Sequence, residues 1–322
     1  MPNQNYSSLD NKRVYVRELK ERFHFEQLCG NEQSLERYII APDINRPGLE
    51  LSGYLGSSDL KRVVIIGNKE GKYINQFDYE TQKARFEIIT DAYTPCIIIS
   101  SRHGVPQALI DLANYRNFPI FKYEGETYRL TVDLVSFLAE KLADTTCVHG
   151  VMMNVYGTGV LIMGNSGIGK SELALALIKK GHRLIADDRV DISNVAGRLI
   201  CEAPELLKRY MEIRGLGIVN VNYMFGGSAY MEKSNLDLVI KLLPMAETGD
   251  VDRLDPHNDS FSILGVDVPL LKIPVTESKS LSTIVEAAVT NFELKSMGID
   301  ANQMFCNQVY DKIVEKNGEK NK

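Results

Sequence analysis

The sequence predicts an α/β protein in two parts that divide near residue 140, and three observations carry the prediction. In the first part, short β-rich apolar runs alternate with segments of helical spacing. In the second, an apolar run leads through a glycine-rich turn into another helical segment. The length of 322 residues is enough for two domains, 1–140 and 141–322, each with its own core.

Taken in order, the first part opens with an amphipathic helix at 14–23 (VYVRELKERF), followed by a turn-rich stretch at 43–53 (DINRPGLELSG). An apolar strand at 62–68, a helix at 81–92, a β-rich run at 95–100 and a helix at 106–117 come next. A strand and turn at 119–125 lead to a closing helix at 131–143. His24 and His103 have no recognisable metal or catalytic partner and read as surface or packing residues. Nothing in this half is a self-contained catalytic constellation, and its role reads as regulation or assembly.

The second part carries GxxxxGK[ST] at Gly164, Asn165, Ser166, Gly167, Ile168, Gly169, Lys170 and Ser171. The run VLIM (160–163) precedes it, and apolar residues at 173, 175, 177 and 178 follow, with Gly181 as a helix stop. Strand, loop and helix are the context a phosphate-binding loop requires. Glycines let backbone amides turn toward phosphate oxygens, and the new helix presents its positive end. Lys170 can reach the outer phosphates and the Ser171 hydroxyl can ligate Mg²⁺. Asp187 and Asp188 end the apolar run RLIA (183–186); they read either as a turn pair or as the acids that phosphoryl transfer needs. Side chains alternate along a strand, so the two need not share a role. His149 alone could be a packing residue or a group near phosphate, and Glu212 with Arg214 either a surface ion pair or a metal ligand and a phosphate clamp. A helix at 283–295 has an apolar stripe suited to a core or subunit interface, and the charged residues 314–322 read as frayed.

Composition narrows the setting. The chain is 44% hydrophobic and 25% charged, with net charge −5, which argues against a general affinity for nucleic acid or anionic lipid. Five scattered cysteines form no framework and read as free thiols. With no segment of signal-peptide type and no run approaching a membrane span, a cytoplasmic protein without a membrane partner is expected.

Several motifs together are more specific than any one of them. HGV (149–151), GNSGIGKSE (164–172), GHRLIADD (181–188), MEIRGLGIVNV (211–221), DRL (252–254), NFELKSMG (291–298) and NRPGLELSG (45–53) resemble the bacterial HPr kinase/phosphorylase family. The resemblance implies an N-terminal α/β domain and a C-terminal P-loop kinase domain similar to the phosphoenolpyruvate carboxykinase core, assembled as a homohexamer. It implies transfer of phosphate from ATP, with Mg²⁺, to a serine of the phosphocarrier HPr, in carbon catabolite control. It also implies phosphorolysis, in which inorganic phosphate removes that group and pyrophosphate is released.

By the same resemblance Asp188 is the base, and in reverse the acid. His149, Lys170 and Arg253 match catalytic positions, and Ser171 and Glu212 metal-binding ones. Met211, Glu212, Ile213, Arg214, Gly215, Leu216, Gly217, Ile218, Val219 and Asn220 match the signature for both directions. Reversal needs the base to hold a proton, so its surroundings are expected to raise its pKa.

One loop departs from the family pattern PVRPGRN. Here Pro274 and Val275 are followed by Thr276, Glu277, Ser278 and Lys279, so two arginines give way to Thr and Lys and a negative charge is added. Lysine lacks the bidentate grip of arginine on an anion, so weakened phosphorolysis is expected, unless the loop is simply variable. Two other classes stay open: a small-molecule kinase or nucleotide hydrolase on the same loop, and a nucleotide-regulated HPr-binding protein.

Overall fold

The computed structural model describes residues 12–54, 61–100, 102, 104–245, 259–275 and 280–319. The chain falls into two compact units, Met1–Ala143 and Asp144–Lys322.

In the first unit a five-stranded sheet runs in the order Glu26–Cys29, Ile120–Lys122, Ile97–Ile99, Val63–Ile66, Ile44–Asn45. The first pair is antiparallel and the rest are parallel. Alternation along the strands divides the side chains between two cores. Val64, Ile66, Ile97, Ile99 and Ile120 pack with residues of helices Asn68–Ile74, Tyr79–Ile89 and Gln107–Arg116. Val63, Ile65, Ile98 and Phe121 pack with Val16 and Leu19 of helix Val16–Phe23 and with Leu130, Leu134 and Leu138 of helix Thr127–Lys141. Because both faces are covered, these strands read as continuous apolar runs rather than as alternating ones. Val14 and Tyr15, placed in a helix by their spacing, instead pair as a short strand with Ile39 and Tyr38.

The second unit centres on a six-stranded sheet, ordered Arg183–Ala186, Val151–Val155, Thr158–Met163, Leu238–Pro244, Val266–Val275, Ser260–Ile263. Its three middle-to-right strands, beginning with Thr158–Met163, are parallel, and both sheet edges are antiparallel. One face packs Val160, Ile162, Leu238 and Ile240 against Leu173, Ala174 and Leu177 of helix Lys170–Lys179 and against Val285 and Val289 of helix Leu281–Ser296. The other packs Met152, Leu161 and Val239 against Val190, Ile192, Leu199 and Cys201 of a four-stranded antiparallel sheet. Helices, mixed sheet and antiparallel sheet thus form three layers, and the glycine-rich loop leaves the middle layer at the end of its third strand.

Residues 314–319, expected to be frayed, lie within helix Ala301–Glu319. Among the described residues no helix is long and apolar enough to cross a membrane. Cys29, Cys96 and Cys201 are buried free thiols, while Cys147 and Cys306 are exposed.

Candidate functional site

The loop after Met163 turns because its glycines take conformations closed to other residues. Gly169, the N-cap of helix Lys170–Lys179, has φ 100° with nothing near a would-be Cβ, so only backbone conformation demands glycine there. Gly164, at φ 155°, faces a tighter limit: a Cβ would meet the Leu242 carbonyl oxygen at 3.0 Å. No side chain caps this helix, which leaves its first amides available to an anion. Lys170 is buried, and its Nζ donates to the carbonyls of Gly164 (3.0 Å) and Asn165 (3.2 Å). Ile168 turns inward and packs on the core beneath the loop.

The two aspartates take opposite environments. Asp187 is buried: the Ser171 hydroxyl donates to its Oδ1 (3.0 Å) and the Glu212 amide to its Oδ2 (3.1 Å). Burial pushes its carboxyl pKa up, against the two donors that hold it down. Asp188 points outward, its side chain 74% exposed, with Oδ1 3.1 Å from His149 Nδ1. Its φ is 69°, and the Arg189 amide bonds back to the Asp187 carbonyl (2.9 Å), closing a three-residue turn around it. Two backbone links hold the histidine in place: Gly150 donates its amide to the Asp188 carbonyl (3.1 Å), and His149 pairs with Arg189 across the antiparallel sheet.

The segment MEIRGLGIVN forms a two-stranded hairpin, Tyr210–Ile213 with Gly217–Asn220, turning through Arg214, Gly215 and Leu216. Met211, Ile213 and Val219 pack into the core, and the Asn220 side chain caps helix Val221–Phe225 by accepting from the Tyr223 amide (3.2 Å). Glu212 and Arg214 reach the cleft.

That cleft, about 430 Å³, is lined by His149, Ser166, Gly167, Gly169, Lys170, Ser171, Glu172, Asp187, Asp188, Glu212 and Arg214. It brings together residues from the loop, the aspartate turn, the antiparallel sheet and the hairpin. Pro274 and Val275 end strand Val266–Val275, paired with Leu243 and Pro244. Arg253, Thr276, Glu277, Ser278 and Lys279 lie outside the described residues. Sequence reasoning assigned Asp187 no task of its own, although it joins the loop serine to the hairpin. The doubled aspartate was the signal, but only burial tells the two apart. Glu172, in the first turn of the loop helix, also lines the cleft without having been singled out.

Fold and cleft define an α/β P-loop protein. Residues 14–138 match the family model described as HPr Serine kinase N terminus, and residues 140–309 the one described as HPr Serine kinase C-terminal domain. The HPr kinase/phosphorylase of Bacillus pumilus (strain SAFR-032) is 39% identical over 308 residues, covering 95% of this chain and 99% of that protein. That of Bacillus subtilis (strain 168) is 38% identical over 302 residues, covering 94% and 97%. The chain belongs to the HPr serine kinase family. A solved structure, the Hpr(Ser) kinase/phosphatase from Coxiella burnetii, is 34% identical and covers 47% of this chain and 99% of that one, with a TM-score of 0.44.

Proposed function

We propose that this chain phosphorylates a serine of HPr with ATP and runs the phosphorolytic reverse reaction. The observation that carries this is the His149–Asp188 pair, 3.1 Å apart, in one cleft with Lys170 and Ser171. In the forward step the serine hydroxyl gives its proton to the Asp188 carboxylate as the serine oxygen bonds to the γ-phosphorus. The bond from that phosphorus to the bridging oxygen breaks, and ADP leaves. In reverse, an oxygen of inorganic phosphate bonds to the phosphoserine phosphorus, the bond from that phosphorus to the serine oxygen breaks, Asp188 gives its proton to the departing serine oxygen, and pyrophosphate leaves. His149 orients the carboxylate, while the Lys170 ammonium and the open amides of the loop helix meet phosphate charge. The exposure of Asp188 suits an acceptor carried on the surface of a protein, where a small-molecule kinase would enclose its acceptor.

The donor set fits Mg²⁺. Ser171 and Glu212 supply hard oxygen ligands, linked through Asp187, and Mg²⁺ commonly takes few protein ligands beside phosphate and water. When bound, the ion supplies neutralisation of phosphate charge. Arg253 adds a further catalytic cation on the strength of its sequence motif. The Thr276–Lys279 departure lowers the reverse rate relative to the forward one. The chain is cytoplasmic and assembles as a homohexamer, with the first unit, residues 1–140 by sequence, serving regulation or assembly. Sedimentation of the intact protein checks the oligomer.

Incubating the protein with labelled ATP, Mg²⁺ and HPr tests the function. Label on an HPr serine is the expected result. ATP turnover independent of HPr would point to a hydrolase, and HPr binding without label to a regulated binding protein.

A further inference from the structure

The first unit holds a cavity of about 340 Å³ whose lining includes two cations, Arg37 and Lys61. Arg37 follows the 3₁₀ helix Glu32–Glu36, and main-chain carbonyls pin its guanidinium. Its Nε donates to Pro95 (3.1 Å) and its Nη2 to Asp91 and Thr94 (2.7 Å each). The Asp91 carboxylate is itself turned onto the amides of Tyr93 and Thr94 (2.9 and 2.8 Å), so it meets the arginine with its carbonyl alone. A guanidinium has five N–H donors, and the two on Nη1 are left over.

The Lys61 ammonium lies 3.7 Å from the centre of the Tyr38 ring, and the Arg13 guanidinium 4.3 Å. Lys61, by hydrogen bond and by charge, and then Arg13 hold the Tyr38 phenol pKa below its ordinary 10, the mark of a positive local field. Among the described residues Lys61 pairs with no carboxylate, and the Gln33 amide beside it in the lining has no hydrogen-bond partner. The lining acid, Glu36, is taken by Arg17 (2.9 Å). Ala92 and Pro95 add apolar wall.

We propose that this cavity binds a small free monocarboxylate, with its charge on Lys61 and the Nη1 edge of Arg37 and its short apolar body against Ala92 and Pro95. The unspent groups are donors, two of them charged, which selects an oxyanion. One free ammonium and a guanidinium already shared among three carbonyls match a single negative charge, and Glu36 repels a second. Every residue named belongs to the first unit, so the site does not depend on the function proposed above.

Saturation-transfer difference NMR on the full chain, with butyrate as the probe, tests it. Wild type is expected to give a saturable signal, Lys61→Ala to weaken the apparent Kd by about tenfold, and Lys61→Arg to restore it. Lys170→Ala, in the phosphate loop, is expected to bind butyrate as wild type does. An unsaturable signal, or one Kd for wild type and Lys61→Ala, overturns the site. Loss in Lys170→Ala overturns it too, since butyrate then sits in the cleft. Inorganic phosphate displacing butyrate at lower concentration than acetate does overturns the single charge. The blocked peptide acetyl-Ala-Glu-Ala-amide displacing it more strongly than acetate overturns a free acid as the ligand.

Discussion

At the scale of single residues, the site depends on what separates Asp187 from its neighbour. One carboxylate is buried and tied to the loop serine and the hairpin amide; the other stands in solvent beside His149. Burial raises the carboxyl pKa of Asp187, a residue given no proton to transfer here. Asp188→Asn keeps the turn but removes the proton acceptor. Transfer to HPr is expected to fall by about 10²–10⁴-fold while labelled ATP still binds, and substantial surviving transfer would remove Asp188 from its role. Gly169→Ala forces a Cβ into left-handed backbone. With open space around it, the cost is backbone strain alone, about 1–2 kcal/mol in the denaturation midpoint of the second unit.

At the scale of elements, helix Leu281–Ser296 is fastened to the end of the loop helix by a polar cluster. Glu286 pairs with Lys180 (2.5 Å) and with buried His182 (3.0 Å), and Tyr156 donates to the same carboxylate (3.3 Å). The Lys180 hydrogen bond, aided by His182, lowers the Glu286 pKa below its ordinary 4.5. A carboxyl depressed in the folded state contributes stability above its unfolded pKa and loses it as pH falls through the folded value. The stability advantage of wild type over Glu286→Gln is therefore expected to be full above about pH 4.5 and to shrink in more acid solution, by denaturant titration at several pH values. Helix Leu281–Ser296 was legible from its apolar stripe at 284, 285, 288, 289 and 292, whereas helices Asn68–Ile74 and Ala301–Glu319 were not singled out. The short strand at Val14 was not, because its pairing with Ile39 is decided by residues more than twenty positions away.

At the scale of the molecule, each unit is built on its own pair of cores. Ile98→Ala opens a cavity in a fully buried site of the first unit, at roughly 2–5 kcal/mol. Hydrogen exchange should show the loss of protection confined to that unit, with residues after Asp144 unaffected. The reverse reaction is a second property of the whole chain. Serine-phosphorylated HPr given phosphate and Mg²⁺ is expected to release pyrophosphate slowly compared with the forward rate, because residues 276–279 read Thr-Glu-Ser-Lys, with no arginine to grip phosphate bidentately. Rapid release would show the loop change to be neutral.

The sequence by itself determined the α/β class, the phosphate loop and its helix, and the family, because glycine spacing and apolar periodicity are local and leave a direct imprint on residue order. The tertiary structure alone decided which aspartate is buried and that Asp187 joins Ser171 to the hairpin. It also decided that Ile218 faces outward beside Glu212. Those outcomes depend on strand register and on burial between segments far apart in the chain, neither of which residue order displays.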